Sequence, residues 1–218
     1  MIAPLALLFI AQAKSAATSE APKIFHYVLS KDGNAIGTEN YEYKVLPGKS
    51  ADITIVIHIS QFVVTANSTY TAEGIWKTKS LDIVGAKEIR SSATLTENGA
   101  DVDAPGPNGR FKHILQPPDN ISLNDPTIAW WRTTKPKLGD PVTFAYFDLE
   151  KVAWEPTVFT YMGDKSISLN GKTYATHHVL QKSGTDQTDY YMDDQGNPVV
   201  ISGSTKAELT GFTLDTSK

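Results

Sequence analysis

The sequence predicts a mainly β protein: a single large antiparallel curved sheet, an open half-barrel or barrel-like, with loops or short helices covering the concave side. Three observations predict it. Apolar and polar residues alternate with period two from residue 24 towards the C-terminus. Turn pairs of the Asp-Gly and Asn-Gly kind recur between the alternating runs. Helical periodicity is not sustained over any comparable length.

The first hairpin runs from Ile24 to Lys31, turns at Asp32-Gly33-Asn34 and returns from Ala35 to Leu46, with Tyr41, Tyr43 and Val45 on one face. Pro47-Gly48-Lys49-Ser50 ends it. Ile53, Ile55, Ile57 and Ile59 then share a face that belongs in a core, while Thr54, Val56, His58 and Ser60 share the other. The run continues through Phe62, Val63 and Val64 to Tyr70, and a further strand or pair is expected around Ser80 to Glu97. Asp101 to Gly109 and Gln116 to Pro126 are rich in Pro, Gly, Asn and Asp and read as loops, bracketing a strand at Arg110 to Leu115. Seven strands follow: Pro141 to Leu149, Thr157 to Met162, Ser166 to Leu169, Thr173 to Lys182, Thr188 to Met192, Val199 to Ser202 and Lys206 to Leu214. Asn170-Gly171 and Asp194-Gln195-Gly196-Asn197 mark hairpin turns. The count is about ten to twelve strands in antiparallel succession.

Residues 1–22 read differently. Met1 to Ile10 is an apolar run followed by Ala11-Gln12-Ala13, the small-x-small pattern that signal peptidases cut after. A spanning helix needs roughly 20 apolar residues, and Lys14 opens a polar tract instead. The expectation is a signal peptide and N-terminal linker over 1–22, cleaved near Ala13, then a single β domain over 23–218 in the periplasm or outside the cell. The chain has no cysteine, which excludes disulfides, thiolate metal sites, a Cys nucleophile and an acylated N-terminal Cys. About 200 residues bury roughly 70% of their unfolded surface, enough for a core without cross-links. The 20 basic and 24 acidic residues are scattered, so no nucleic-acid partner is implied.

Catalytic and metal patterns are weak. His177 and His178 are adjacent, so in a strand they leave opposite faces and cannot share one metal ion. Asp193-Asp194 lacks the series of oxygen ligands of a calcium loop and reads as a turn. His58 reads as a solvated residue, and Glu73, Glu88 and Glu155 as surface charges. No Gly-x-Ser-x-Gly elbow occurs. Asn67-Ser68-Thr69 and Asn120-Ile121-Ser122 are glycosylation sequons that matter only in a eukaryotic secretory pathway. The expectation is therefore no catalytic residue, no metal and no cofactor.

The aromatics are more informative. Trp130-Trp131, read as strand, point to opposite faces, and so do members of the Phe144, Tyr146, Phe147 group and the Tyr190-Tyr191 pair. Two apolar faces on one sheet need two covers, and a lipid on the concave side is one such cover. Trp76, Trp130, Trp131, Trp154 and Tyr161 are the candidate ligand-binding residues.

Five segments resemble an uncharacterised family of exported bacterial β domains, similar in pattern to LolA-like open half-barrel proteins. They are Tyr27-Val28-Leu29 through Gly33 to Ile36-Gly37; Tyr70 to Leu81 with Glu73 and Trp76; Thr94 to Gly99; Ile128 to Trp131; and Gly163 through Gly171, Tyr174 and Tyr190-Tyr191-Met192-Asp193 to Val200. The resemblance implies an acyl-chain site on the concave face and no catalytic residue. Lacking cysteine, the chain departs from anchored lipoproteins of that shape. The expected function is a non-enzymatic envelope protein that binds or carries a lipid or other hydrophobic small molecule. The alternatives are an envelope module that binds a protein partner and a cofactor-free enzyme with a β cavity.

Overall fold

The computed structural model describes residues 23–214 apart from 47, 49, 87, 108 and 131–135. Residues 1–22, expected to be a signal peptide and linker, and Trp131 lie outside the described residues. The strands are β1 (Lys23–Lys31), β2 (Asn34–Val45), β3 (Ala51–Ile59), β4 (Phe62–Tyr70), β5 (Trp76–Val84), β6 (Ile89–Thr96), β7 (Gly99–Gly106) and β8 (Gly109–Leu115). A short helix α1 (Pro126–Trp130) precedes β9 (Pro141–Asp148), β10 (Ala153–Leu169), β11 (Lys172–Ser183), β12 (Asp186–Met192), β13 (Pro198–Ser202) and β14 (Lys206–Leu214).

All fourteen strands form one sheet, in the order β8-β7-β6-β5-β4-β3-β2-β1-β14-β13-β12-β11-β10-β9. Pairing is antiparallel throughout, with chain neighbours side by side except where β1 meets β14 and joins the two halves. The chain thus starts and ends mid-sheet, and β8 and β9 are the two edges. Turn chemistry sets the register. Asp32 and Gly33 take φ of 51° and 80°, and Asn170 and Gly171 take 52° and 74°, the left-handed pair that a two-residue hairpin of native twist requires. Gly37 has a different reason to be glycine: a Cβ there would collide with the His58 carbonyl oxygen on β3.

Four expectations are corrected. Fourteen strands replace ten to twelve, in part because Asp101–Gly106 belongs to β7 rather than to a loop. Pro105 is tolerated there because β6 pairs with β7 only as far as Asp103, so the missing N–H faces no partner. The two strands expected between Thr157 and Leu169 are one, β10, carrying a register shift between Tyr161 and Gly163 where Gly163 takes φ of 103°. Trp130 ends a helix and not a strand. Its start is capped: Asp125 Oδ1 accepts from the Thr127 N–H at 2.9 Å and hydroxyl at 2.6 Å, and Pro126 fills the first helical position.

Strand β9 shows how the sheet curls. Phe144, Ala145 and Phe147 are 3%, 0% and 0% exposed, although consecutive residues point to opposite faces, so β9 is covered on both sides. One side packs with β10 to β12, where Phe144 joins Phe159, Val179 and Met192. The other packs on the far end of the same sheet, where Phe147 joins Trp76, Ala93, Ala100 and Val102 from β5, β6 and β7. The sheet is rolled like a scroll. Trp76, Phe147 and Trp154 form the seam, with ring centroids 5.0 to 5.8 Å apart. In place of a closing ladder, the Trp154 indole N–H donates to the Leu115 carbonyl of β8 at 3.0 Å.

Lys79 of β5 completes the seam. It is 6% exposed, donates to the Phe147 carbonyl at 2.9 Å and holds its ammonium 3.7 Å from the Tyr146 ring centroid. Burial pushes the amine down to about 8. A folded-state value below the unfolded one favours the neutral amine in the folded protein. Relative to Lys79→Met, the wild type is therefore expected to gain stability as pH rises from about 8 towards 10.5. Urea unfolding of both proteins across this range measures the gain; a pH-independent difference would mean a solvated amine.

Candidate functional site

The inner faces of β1 to β4 and β9 to β12 enclose a cavity of about 320 Å³. Pairing register explains its lining. Tyr27 lies opposite Glu39, Tyr41 opposite Ile55, Tyr43 opposite Ile53, and Ile55 opposite Ala66, so one continuous row of side chains crosses the sheet on the same face. From the other half come Phe144, Tyr146, Phe159, Gln181, Tyr190 and Met192. The turn from β12 to β13 closes one side, built on Asp193, whose Oδ1 accepts from the Gln195 and Asn197 N–H groups at 2.9 Å each.

Six tyrosines line this space: Tyr27, Tyr41, Tyr43, Tyr70, Tyr146 and Tyr190. Two carboxyl groups join them, Glu39 from β2 and Asp125 from the start of α1. The described lining contains no lysine, arginine or histidine. Asp125 is placed by Gly74, whose φ of 85° and missing Cβ let the Asp125 backbone approach; a Cβ would stand 2.5 Å from the Asp125 carbonyl oxygen. The Asp125 N–H donates to the Gly74 carbonyl at 2.9 Å.

Burial dominates the electrostatics. It raises the Glu39 carboxyl, and it raises Asp125 against the opposing bonds from Thr127 and the charge of Lys79. Tyr146 is pushed up to about 12, first by burial and then by the charges of Asp148, Asp125 and Glu155. Tyr27 and Tyr190 are raised further, burial first, with Glu39 contributing to both. The Tyr27 hydroxyl donates to the Pro198 carbonyl at 2.7 Å, which spends its only donor. The arrangement supplies aromatic rings and acceptors, with one hydroxyl, that of Thr127, donating to the Asp125 carboxylate at 2.6 Å.

Of the residues expected to bind ligand, the described four, Trp76, Trp130, Trp154 and Tyr161, are not in the cavity lining. Trp76 and Trp154 are seam residues, and Trp76 is 3% exposed. Trp130 stands one layer behind the wall, its ring edge-on to Phe159 at 6.4 Å. Tyr161 donates to Asp164 at 2.5 Å, outside the cavity. His177 and His178 do diverge: His177 lies between Asp164 and Asp194 at 2.6 and 2.9 Å, while His178 meets Asp189 at 2.6 Å. His58, Glu73 and Glu88 are exposed; Glu155 is half-buried and paired with Lys151 at 2.7 Å.

Glu39 and Asp125 were not singled out in the sequence. The signal for Glu39 is its phase: it precedes Tyr41 and Tyr43 by two and four residues, a charge on an aromatic face. Because burial raises the folded-state value of Glu39 above 4.5, the stability it contributes is fully present below that pH and lost as pH rises through the folded value. Glu39→Gln is expected to be more stable than wild type near neutrality by on the order of 1–3 kcal/mol, the difference vanishing in acid. Denaturant unfolding at pH 4 and pH 8 decides it.

No protein-family model matches the chain, and no curated protein matches it. Among solved structures, the chain is similar to a β-barrel-like protein of a domain of unknown function, DUF1849, from Brucella abortus. The likeness has a TM-score of 0.59 at 12% identity and covers 92% of this chain and 100% of that one. At that identity it concerns the fold: an all-β, barrel-like architecture also found in a bacterial protein of unknown function.

Proposed function

We propose that this chain is an exported, non-enzymatic envelope protein that binds a small, largely apolar molecule inside its rolled sheet. The observation that carries this reading is the cavity of about 320 Å³, walled by aromatic and aliphatic side chains with a few polar groups among them. Binding sites of small molecules have this size and make-up. The apolar run and small-x-small pattern at the N-terminus support export, as does the resemblance to LolA-like carriers. The tyrosine lining shifts the ligand class away from a purely aliphatic acyl chain, because each phenol presents a hydroxyl as well as a ring.

The alternative, a module that docks a protein strand, has the free edge of β8 as its surface. Arg110 and Lys112 stand on that strand, and edge charges of this kind oppose strand addition.

Ala66 lines the cavity from β4, so Ala66→Trp fills it. Wild-type protein is expected to carry a small molecule in native mass spectra, released by organic solvent, and to bind added benzyl alcohol in a calorimetric titration. Folded Ala66→Trp should do neither. Wild type that is ligand-free and binds no aromatic probe of this size, neutral or charged, overturns the reading. Fractionation of a bacterial host tests export separately, with a mature N-terminus at Lys14 and recovery from the periplasm expected.

A further inference from the structure

We propose that the cavity is a site for an organic cation, with an ammonium group seated against Glu39 among the tyrosine rings and an apolar body filling the rest. This deepens the ligand-binding reading above and rests on it.

Glu39 carries the inference. It is 9% exposed, lines the cavity, and makes no hydrogen bond or ion pair with any described residue. Its oxygens are not among the fully buried unpartnered polar atoms of the described residues, so the carboxyl is desolvated by the wall yet open on the cavity side. The neighbours do not serve. Tyr27, its cross-strand partner, already donates its hydroxyl hydrogen bond to the Pro198 carbonyl. The other acid in the cavity, Asp125, repels rather than pairs, and its Oδ1 is already held by Thr127. Lys79, the buried amine of β5, is engaged at the seam with the Phe147 carbonyl and the Tyr146 ring.

A missing partner for Glu39 is therefore a donor or a positive charge brought in from outside. The surroundings discriminate between these. Two acids and no basic residue give the described lining one sign of charge. Six tyrosines contribute to the lining, one of them, Tyr146, already carrying the Lys79 ammonium against its ring, and aromatic rings beside a carboxylate are a recurrent way to hold an alkylated ammonium. The space equals that of about ten waters at ~30 Å³ each, which admits a compact ligand rather than a full-length lipid.

Three probes of one size separate the possibilities: benzyltrimethylammonium, benzyl alcohol and phenylacetate, titrated calorimetrically into the full chain at pH 8 and low salt. Wild type is expected to bind the cation at least about tenfold more tightly than the alcohol, and the anion not at all. The cation-to-alcohol ratio should fall to about one in Glu39→Gln, persist in Glu39→Asp, and shrink as acid protonates Glu39 in the wild type. Equal or tighter binding of the alcohol by wild type, or a ratio unchanged in Glu39→Gln, overturns the cation while leaving the cavity reading intact. Failure of all three probes overturns both.

Discussion

Everything else in the structure depends on how a fourteen-stranded antiparallel meander disposes of its two ends. Long twisted sheets curl or close, and an edge left open presents unpaired backbone groups. Here the edges do not pair with each other; β9 slides inside the curl and lies on the inner faces of β5 to β7. The contact is made by Phe147, Trp76 and Trp154 packing together, with Lys79 and the Trp154 indole each donating to a backbone carbonyl across the gap. Phe147, 0% exposed and aromatic, is the kind of residue whose truncation to alanine costs about 3–5 kcal/mol. The roll also partitions the interior. The side of β9 that bears Phe147 faces a filled aromatic seam, and the side that bears Phe144 and Tyr146 faces the cavity.

This partition accounts for what the sequence revealed and what it concealed. Strands with one face in the interior alternate cleanly, so β1 to β4 and β11 to β14 were legible from period two and from the Asp32-Gly33 and Asn170-Gly171 turns. Where both faces are covered the alternation fails, as in Phe144-Ala145-Tyr146-Phe147, and pattern alone does not say what the second cover is. A lipid, a loop and a helix are the expected candidates; the far end of the sheet covers the Phe147 side, and the short helix α1 packs through Trp130 on the Phe144 side. The tryptophans were assigned to a ligand because nothing local explained them. Their partners lie far away in sequence, Trp154 with Leu115 and Trp76 with Phe147, and long-range pairing leaves no local trace. Conversely, the Asp125-Pro126 start of α1 was a local signal and could have been read as a capped helix.

The carboxyl groups of the cavity illustrate a subtler limit. Period-two reasoning sorts residues into faces and then treats a charged member of an apolar face as an exception to be ignored. Glu39 is such a member, in phase with Tyr41 and Tyr43, and its placement costs stability whenever the carboxyl is ionised. Sites that break a local rule without local compensation are where function concentrates. The likeness to a barrel-like protein at 12% identity is compatible with the same logic. Architecture survives wide divergence in the residues that line it, so a shared roll leaves the contents of the interior to each sequence.

Cavity and seam are also not independent parts. Tyr146 lines the cavity and carries the Lys79 ammonium against its ring. Asp125, which lines the same cavity, adds to the raised value of Tyr146 and opposes the lowering of Lys79. The same Asp125 caps α1 and is tied through its N–H to Gly74 in the turn between β4 and β5, next to Trp76 of the seam. Residues that share partners in this way do not contribute additively. The charge of Asp125 therefore acts on the amine that closes the sheet, opposing the lowering that burial imposes on Lys79.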